Sequence, residues 1–118
     1  MTQTLDADII VRHNRESHTY EALLGDELVG LVVYEPAGAS RLALTHAAVE
    51  EHHRKLGIGT RLVTETLDDI RRSGLRITVY CQVVVDFLAK HPEYTDLVDP
   101  QVPGRVARPD GGAQSAEA

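Results

Sequence analysis

Arg54-Lys55-Leu56-Gly57-Ile58-Gly59 opens the stretch that decides the architecture, because the apolar period changes across it. Beyond it, Leu62, Val63, Thr66, Leu67 and Ile70 recur at the spacing of one helical face. Before it, apolar and polar residues alternate, as in half-buried strands. Gly57 and Gly59 let the backbone turn tightly and come close to a ligand, while the first N–H groups of the following helix point outward without intrahelical partners. Arg54 and Lys55 add positive charge beside those amides. The loop is therefore a candidate anion site, assisted by the helix dipole. The plain alternative is an ordinary loop with a glycine at a helix start.

Two familiar phosphate loops are excluded. A Walker loop ends in Gly-Lys-Ser/Thr, whereas Gly59 is followed by Thr60 and Arg61. A Rossmann fingerprint needs a third glycine where Leu62 stands, and a parallel βαβ setting.

Working outward, the helix is expected over 58–73, with Arg71 and Arg72 in its last turn and Gly74 ending it. Residues 75–80 alternate again as a strand. A short helix over 84–90 follows, with Val84, Phe87 and Leu88 inward and His91 turned out of helical geometry by Pro92. The run Val83-Val84-Val85 also allows the strand to continue instead. Towards the N-terminus, a strand begins at Ile9, Ile10 and Val11. Residues 17–24 place His18, Tyr20, Ala22 and Leu24 on one face. Gly25-Asp26-Glu27 makes a turn into an apolar strand over 28–34, so these two strands form a hairpin. After the turn Glu35-Pro36-Ala37-Gly38, a further strand covers 41–49. The order β-β-β-β-α-β-α is an α+β fold on a mostly antiparallel mixed sheet. One folded domain over 8–98 is expected, with a frayed 1–7. From Asp99, Pro100, Pro103, Gly104, Pro109, Gly111 and Gly112 read as an unpacked tail over 99–118.

A chain of 118 residues has room for one core. The formal net charge of −6 disfavours nucleic acid, which demands a basic surface, and the 4% aromatic content leaves little for base stacking. Cys81 is the single cysteine, which fits a reducing, cytoplasmic setting. The start Met1-Thr2-Gln3-Thr4-Leu5-Asp6 lacks the basic and apolar regions of a secretory leader, and no apolar run reaches membrane-spanning length.

The loop 54–59 resembles the acetyl-CoA pyrophosphate motif of the GNAT N-acetyltransferases. The chain is most similar to a small, minimal subgroup of that superfamily. The matching order is His46, Gly57 and Gly59, Cys81, then Phe87-Leu88-Ala89-Lys90-His91-Pro92-Glu93-Tyr94. The resemblance runs over residues 8 to 98. It implies an acetyltransferase moving an acetyl group from acetyl-CoA to an amine or a protein lysine. It also implies a V-shaped splay between the fourth and fifth strands, in which the cofactor lies. The pantetheine arm is then expected on backbone near Ala47, Ala48 and Val49. The pyrophosphate is expected on the amides of Lys55, Leu56, Gly57, Ile58, Gly59 and Thr60, with Arg54 as charge partner. Cys81 is expected beside the cofactor sulfur.

The chemistry needs a neutral amine, a polarised carbonyl and a proton for the departing thiolate. Larger GNAT enzymes place a Tyr on the last helix as that acid, and Leu88 stands at the matching place here. The carboxylate common late on the fourth strand is replaced by His46-Ala47-Ala48-Val49. Cys81 is therefore a catalytic candidate, as nucleophile, acid or cofactor contact, near a helix start that favours the thiolate. Its ordinary alternative is a small buried hydrophobe. His46 is the second candidate, as general base, against a hydrogen-bonded core histidine. A metal site built on His46, His52 and His53 is rejected, because adjacent histidines without cysteine ligands lack zinc spacing. The rival function is a non-catalytic CoA-binding or protein-interaction module. As for assembly, a monomer or a weak homodimer through exposed strand edges is expected.

Overall fold

The computed structural model describes residues 9–50 and 57–105. Five strands and two helices follow one another as β1 (Ile9–Asn14), β2 (Thr19–Leu24), β3 (Glu27–Pro36), β4 (Arg41–Val49), α1 (Ile58–Arg72), β5 (Arg76–Val79) and α2 (Gln82–Lys90), with a closing 3₁₀ turn over Pro92–Leu97. The sheet order is β1-β2-β3-β4-β5. The first four strands pair antiparallel, and β4 pairs with β5 in parallel. This is the mixed α+β sheet that the alternating and helical periods imply.

One face of the sheet is covered by α1. Tyr20 and Ala22 of β2, and Val32 and Tyr34 of β3, are buried beneath it, meeting Leu62, Val63, Thr66, Leu67 and Ile70. Burial of that apolar stripe, rather than intrinsic propensity, holds the helix in place. Its end is fixed locally. Gly74 takes a left-handed φ of 75°. Its N–H reaches the Arg71 carbonyl at 3.0 Å, and the Leu75 N–H reaches that of Ile70 at 3.3 Å, the paired bonds of a Schellman stop. Those bonds engage Ser73, Gly74 and Leu75, so the helix ends at Arg72 and β5 begins only at Arg76.

The last helix begins earlier than its sequence pattern implies. Cys81 is extended, at φ −96° and ψ 138°, and Val83, Val84 and Val85 all lie inside α2. Val84 is fully buried, so its packing against the core outweighs the strand preference of the valine run.

Packing also continues past Asp99. The Asp99 N–H donates to the Ile77 carbonyl at 2.8 Å, and the Val79 N–H donates to that of Pro103 at 3.1 Å. Parallel bridges join Ile77 to Val98 and Val79 to Gly104. The buried Thr78 hydroxyl donates to the Val102 carbonyl at 2.6 Å and accepts from Arg41 at 2.9 Å. Asp99 closes an ion pair with the same Arg41 at 3.4 Å. Residues 98–105 thus form a strap along the outer edge of β5. Composition read 99–105 as unpacked because this docking uses backbone groups rather than apolar side chains. The remainder of that expected tail, 106–118, and the expected frayed start, 1–7, lie outside the described residues.

Between the sheet and the C-terminal half of α1 sits a polar cluster. The Tyr20 hydroxyl donates to Asp69 Oδ2 at 2.6 Å, and His13 Nε2 shares a 2.7 Å hydrogen bond with the Tyr34 hydroxyl. The His13 and Tyr20 rings stack with centroids 4.1 Å apart. Burial holds His13 below its ordinary pKa of 6.5; Arg15 adds to this, Asp69 opposes it, and His18 lowers it further. Folded His13 therefore resists the proton that the unfolded chain accepts below about pH 6.5. Stability is full above that pH and falls as the solution is acidified through it. Glu21 and Asp96 are both held below ordinary values of 4.5 and 3.8, so their loss of stability belongs to more acidic solutions. Thermal melting at about pH 7.5 and about pH 5.5 is expected to show a lower Tm in acid, with a smaller drop in His13→Gln. An equal drop in both proteins would show that the histidine does not carry the effect.

Candidate active site

The pairing of β4 with β5 stops early. Arg41 to Leu44 match Arg76 to Val79, and the Tyr80 N–H makes a last bond to the Leu44 carbonyl at 2.9 Å. At that point β4 carries a bulge: Val33 faces His46 while Tyr34 faces Leu44, so Thr45 is the extra residue. A bulge bends and twists its strand. From Thr45 to Val49, β4 follows β3 and has no partner in β5. The sheet therefore opens into a wedge between β4 and the start of α2, where the V-shaped splay is expected.

Helix α1 begins beside the open arm of β4. A Cβ added to Gly59 would lie 3.5 Å from Val49 Cγ2, so the end of β4 and the first turn of α1 are in contact range. Gly57 caps the helix with φ 80° and ψ 9°, a left-handed conformation that glycine adopts at low cost, and no side chain caps it. Its carbonyl accepts the Arg61 N–H at 3.0 Å, the first helical bond. The amides of Ile58, Gly59 and Thr60 precede that bond, in the turn where a helix has no carbonyl of its own to offer.

A cleft of about 430 Å³ runs from this turn across to α2, lined by Gly59, Thr60 and Val63 on one side and Val83, Asp86, Phe87, Lys90 and His91 on the other. Phe87 and His91 stack at 4.2 Å between centroids, forming a flat wall. Lys90 lines the same cleft as the first turn of α1. Gln82 donates to Asp86 at 2.8 Å, giving that carboxylate a partner on its own helix.

Cys81 is the residue before α2 and is 7% exposed. Burial pushes its thiol above the ordinary pKa of 9.0. The Val84 and Cys81 amides, and then the Arg105 guanidinium, pull it only part of the way back. The helix start was expected to favour the thiolate; burial outweighs it, and the thiol is protonated at neutral pH. His46 is exposed on the open arm of β4, opposite Val33, and is not the buried core histidine of the ordinary alternative. Leu88 is 2% exposed and packed in the core, so no hydroxyl stands at its position.

Of the residues singled out from sequence, Ala48, Val49, Gly57, Ile58, Gly59 and Thr60 thus border the wedge and the turn above it. Ile58 is fully buried, so it is available through its backbone alone. Arg54, Lys55 and Leu56 lie outside the described residues, as do His52 and His53. Sequence reasoning passed over Val83, Asp86, Lys90 and His91 as site residues. The last two belong to the segment that carried the family resemblance, which was the one available signal. Among the described residues, no helix is long and apolar enough to cross a membrane.

A family model described as GCN5-related N-acetyltransferase matches residues 19–97. Among solved structures, a GCN5-like N-acetyltransferase from Staphylococcus aureus aligns with TM-score 0.61 and 17% identity, covering 77% of this chain and 88% of its own. An IAA acetyltransferase from Bacillus cereus aligns with TM-score 0.51 and 22% identity over 62% of this chain and 52% of that one. Ard1 from Thermoplasma volcanium aligns with TM-score 0.48 and 19% identity over 52% of this chain; the chain spans 43% of that protein. At these identities the likeness is one of fold. No curated protein matches the chain.

The buried thiol generates a direct expectation. In the free protein, thiolate absorbance of Cys81 is expected to appear at higher pH than that of a free cysteine, with Cys81→Ser supplying the tyrosine background. A midpoint at or below the free-cysteine value would show that the helix amides, not burial, govern the sulfur.

Proposed function

Because the chain belongs to the GCN5-related N-acetyltransferase family, we propose that it transfers the acetyl group of acetyl-CoA to an amine in the wedge between β4 and α2. The observation that carries this reading is the placement of that wedge. It lies where β4 leaves β5, with the uncapped first turn of α1 on one side and Cys81 at its closed end.

The residues present fit a CoA thioester. The first-turn amides and the helix dipole suit a diphosphate, and Lys90 adds a cation in the same cleft. The arm of β4 beyond Leu44, at Ala47 and Ala48, offers backbone to the amide-bearing pantetheine. Arg54 and Lys55 stand next in the chain, and we assign them to the same anion. The bound thioester supplies the activated acetyl group; the chain supplies orientation and proton transfer.

His46, on the open arm, accepts the proton that the acceptor ammonium must lose before its nitrogen can attack. The amine nitrogen bonds to the thioester carbonyl carbon, and the carbon–sulfur bond breaks. The Cys81 thiol gives its proton to the departing CoA sulfur, and the Cys81 thiolate is reprotonated from His46. The acylated nitrogen sheds its second proton to solvent, so the balance is one amide, one CoA thiol, one released proton and an unchanged enzyme. A protonated, buried sulfhydryl suits the acid role that a tyrosine fills in larger relatives, and it suits a nucleophile poorly. The net charge of −6 favours the approach of cationic amines such as lysine side chains.

Thiol release from acetyl-CoA with a panel of amines tests this. Cys81→Ala is expected to lower kcat by about 10²-fold or more while leaving the KM for acetyl-CoA within about twofold, the signature of a lost acid. Lys90→Ala is expected to raise that KM by about tenfold with kcat retained, the size of one charge-assisted contact. Undiminished turnover by Cys81→Ala would overturn the acid role. Binding of acetyl-CoA without thiol release for any amine would favour a CoA-binding module that has lost its chemistry, the reading to which Leu88 points.

A further inference from the structure

The strap along β5 carries a cation, Arg105, that the proposed reaction does not use. Its course is set by backbone. The Val79 N–H donates to Pro103 at 3.1 Å, and the Arg105 N–H returns a 2.6 Å bond to the Val79 carbonyl. Between them Gly104 takes φ 79°, and a Cβ there would fall 2.2 Å from the Val79 oxygen. Only glycine fits, on two independent grounds: handedness and space. The Thr78–Val102 bond and the Arg41–Asp99 ion pair hold the strap further down.

This clamp determines where Arg105 stands. Its main chain is pinned beside Val79, and its Nη1 donates to the Tyr80 carbonyl at 3.4 Å. Tyr80 and Cys81 are consecutive, so the guanidinium lies at the C-terminal end of β5, next to the residue that starts α2. Among the described residues, three polar groups act on the Cys81 sulfur. From its own helix come the Val84 and Cys81 amides, and from the strap comes Arg105. Gln82 is engaged with Asp86, one helical turn along, and the Leu44 carbonyl of β4 is bonded to Tyr80.

We propose that Arg105 is a positioning residue that acts through Cys81: the strap fixes a permanent positive charge beside the sulfur, offsetting the negative charge left there when its proton passes to CoA. The proposal rests on the acid role assigned to Cys81. An arginine suits the task because it stays protonated throughout, so it stabilises the thiolate without competing for the proton. Burial makes the thiolate costly, and a positive charge brought to the end of β5 by the strap lowers that cost. In this scheme Gly104 serves the site from the far side of β5, as the residue that lets the strap approach.

The test is an ultraviolet titration of thiolate in the free, full-length protein, which reads the single cysteine, Cys81, once the tyrosine background is subtracted with Cys81→Ser versions of each variant. Arg105→Ala is expected to move the midpoint upward by about 0.5 unit at low ionic strength, with the difference shrinking as salt rises. Arg105→Lys is expected to restore most of it. Gly104→Ala, which keeps the arginine but expels the strap, is expected to move the midpoint in the same direction. In turnover, Arg105→Ala is expected to lower kcat about threefold or more at unchanged KM. Midpoints equal to wild type in both Arg105→Ala and Gly104→Ala would overturn the proposal. If the midpoints shift as stated but no amine is acetylated by the wild type, the charge coupling stands and the acyl-transfer reading fails.

Discussion

The molecule is organised around one interrupted strand pairing. Parallel hydrogen bonding between β4 and β5 gives the sheet its last neighbour, and it ends at Leu44 because Thr45 is bulged out of register with β3. A sheet that stayed paired to Val49 would close the space in which a thioester can lie. The bulge ends the pairing of β4 with β5, so beyond Leu44 the two arms diverge. Everything assigned to the reaction is placed by that divergence. His46 rides on the arm that departs, Cys81 sits where the other arm ends, and α1 begins at the open end.

The helices complete what the strands leave open. The apolar stripe of α1 is anchored over Tyr20, Ala22 and Val32, and its Schellman stop sets the start of β5. These two constraints hold the first turn of α1 beside Val49, where Gly59 and Thr60 line the same cleft as Lys90. Rigid support matters because a glycine-capped helix start has no side chain to fix a ligand; precision must come from the backbone. The strap adds support from the opposite edge, through main-chain bonds to Ile77 and Val79 together with the Thr78 hydroxyl and the Arg41–Asp99 ion pair.

Much of this was legible in the sequence, for specific reasons. Tyr20 and Ala22 alternate with polar neighbours, and Leu62, Val63, Thr66, Leu67 and Ile70 keep helical spacing, so the order of elements and the covered face followed from periodicity. Gly57 and Gly59 marked the cleft by conformation. What periodicity cannot show is contact between distant segments. The facing of Lys90 towards Gly59, and of Arg105 towards Cys81, depends on how α2 and the strap return to the sheet. Composition misled at 99–105, where Pro103 and Gly104 looked like breakers but serve as acceptor and close-approach point. Position, not composition, misled at Cys81: a place near a helix start implied a thiolate, and the depth of burial reversed the sign. The coupling of His13, Tyr34, Tyr20 and Asp69 joins four elements of side chains and had no local signature.

The central claim is that a CoA thioester occupies the wedge opened by β4. Backbone amide chemical shifts, followed while unlabelled CoA is titrated into the isotopically labelled protein, test it most directly. The largest shifts are predicted at Gly57, Ile58, Gly59 and Thr60, along Ala47 to Val49, and on the cleft face of α2, with Ile10 and Arg12 at the far edge of the sheet unmoved. Shifts confined to other surfaces, or none at saturating CoA, would contradict the account.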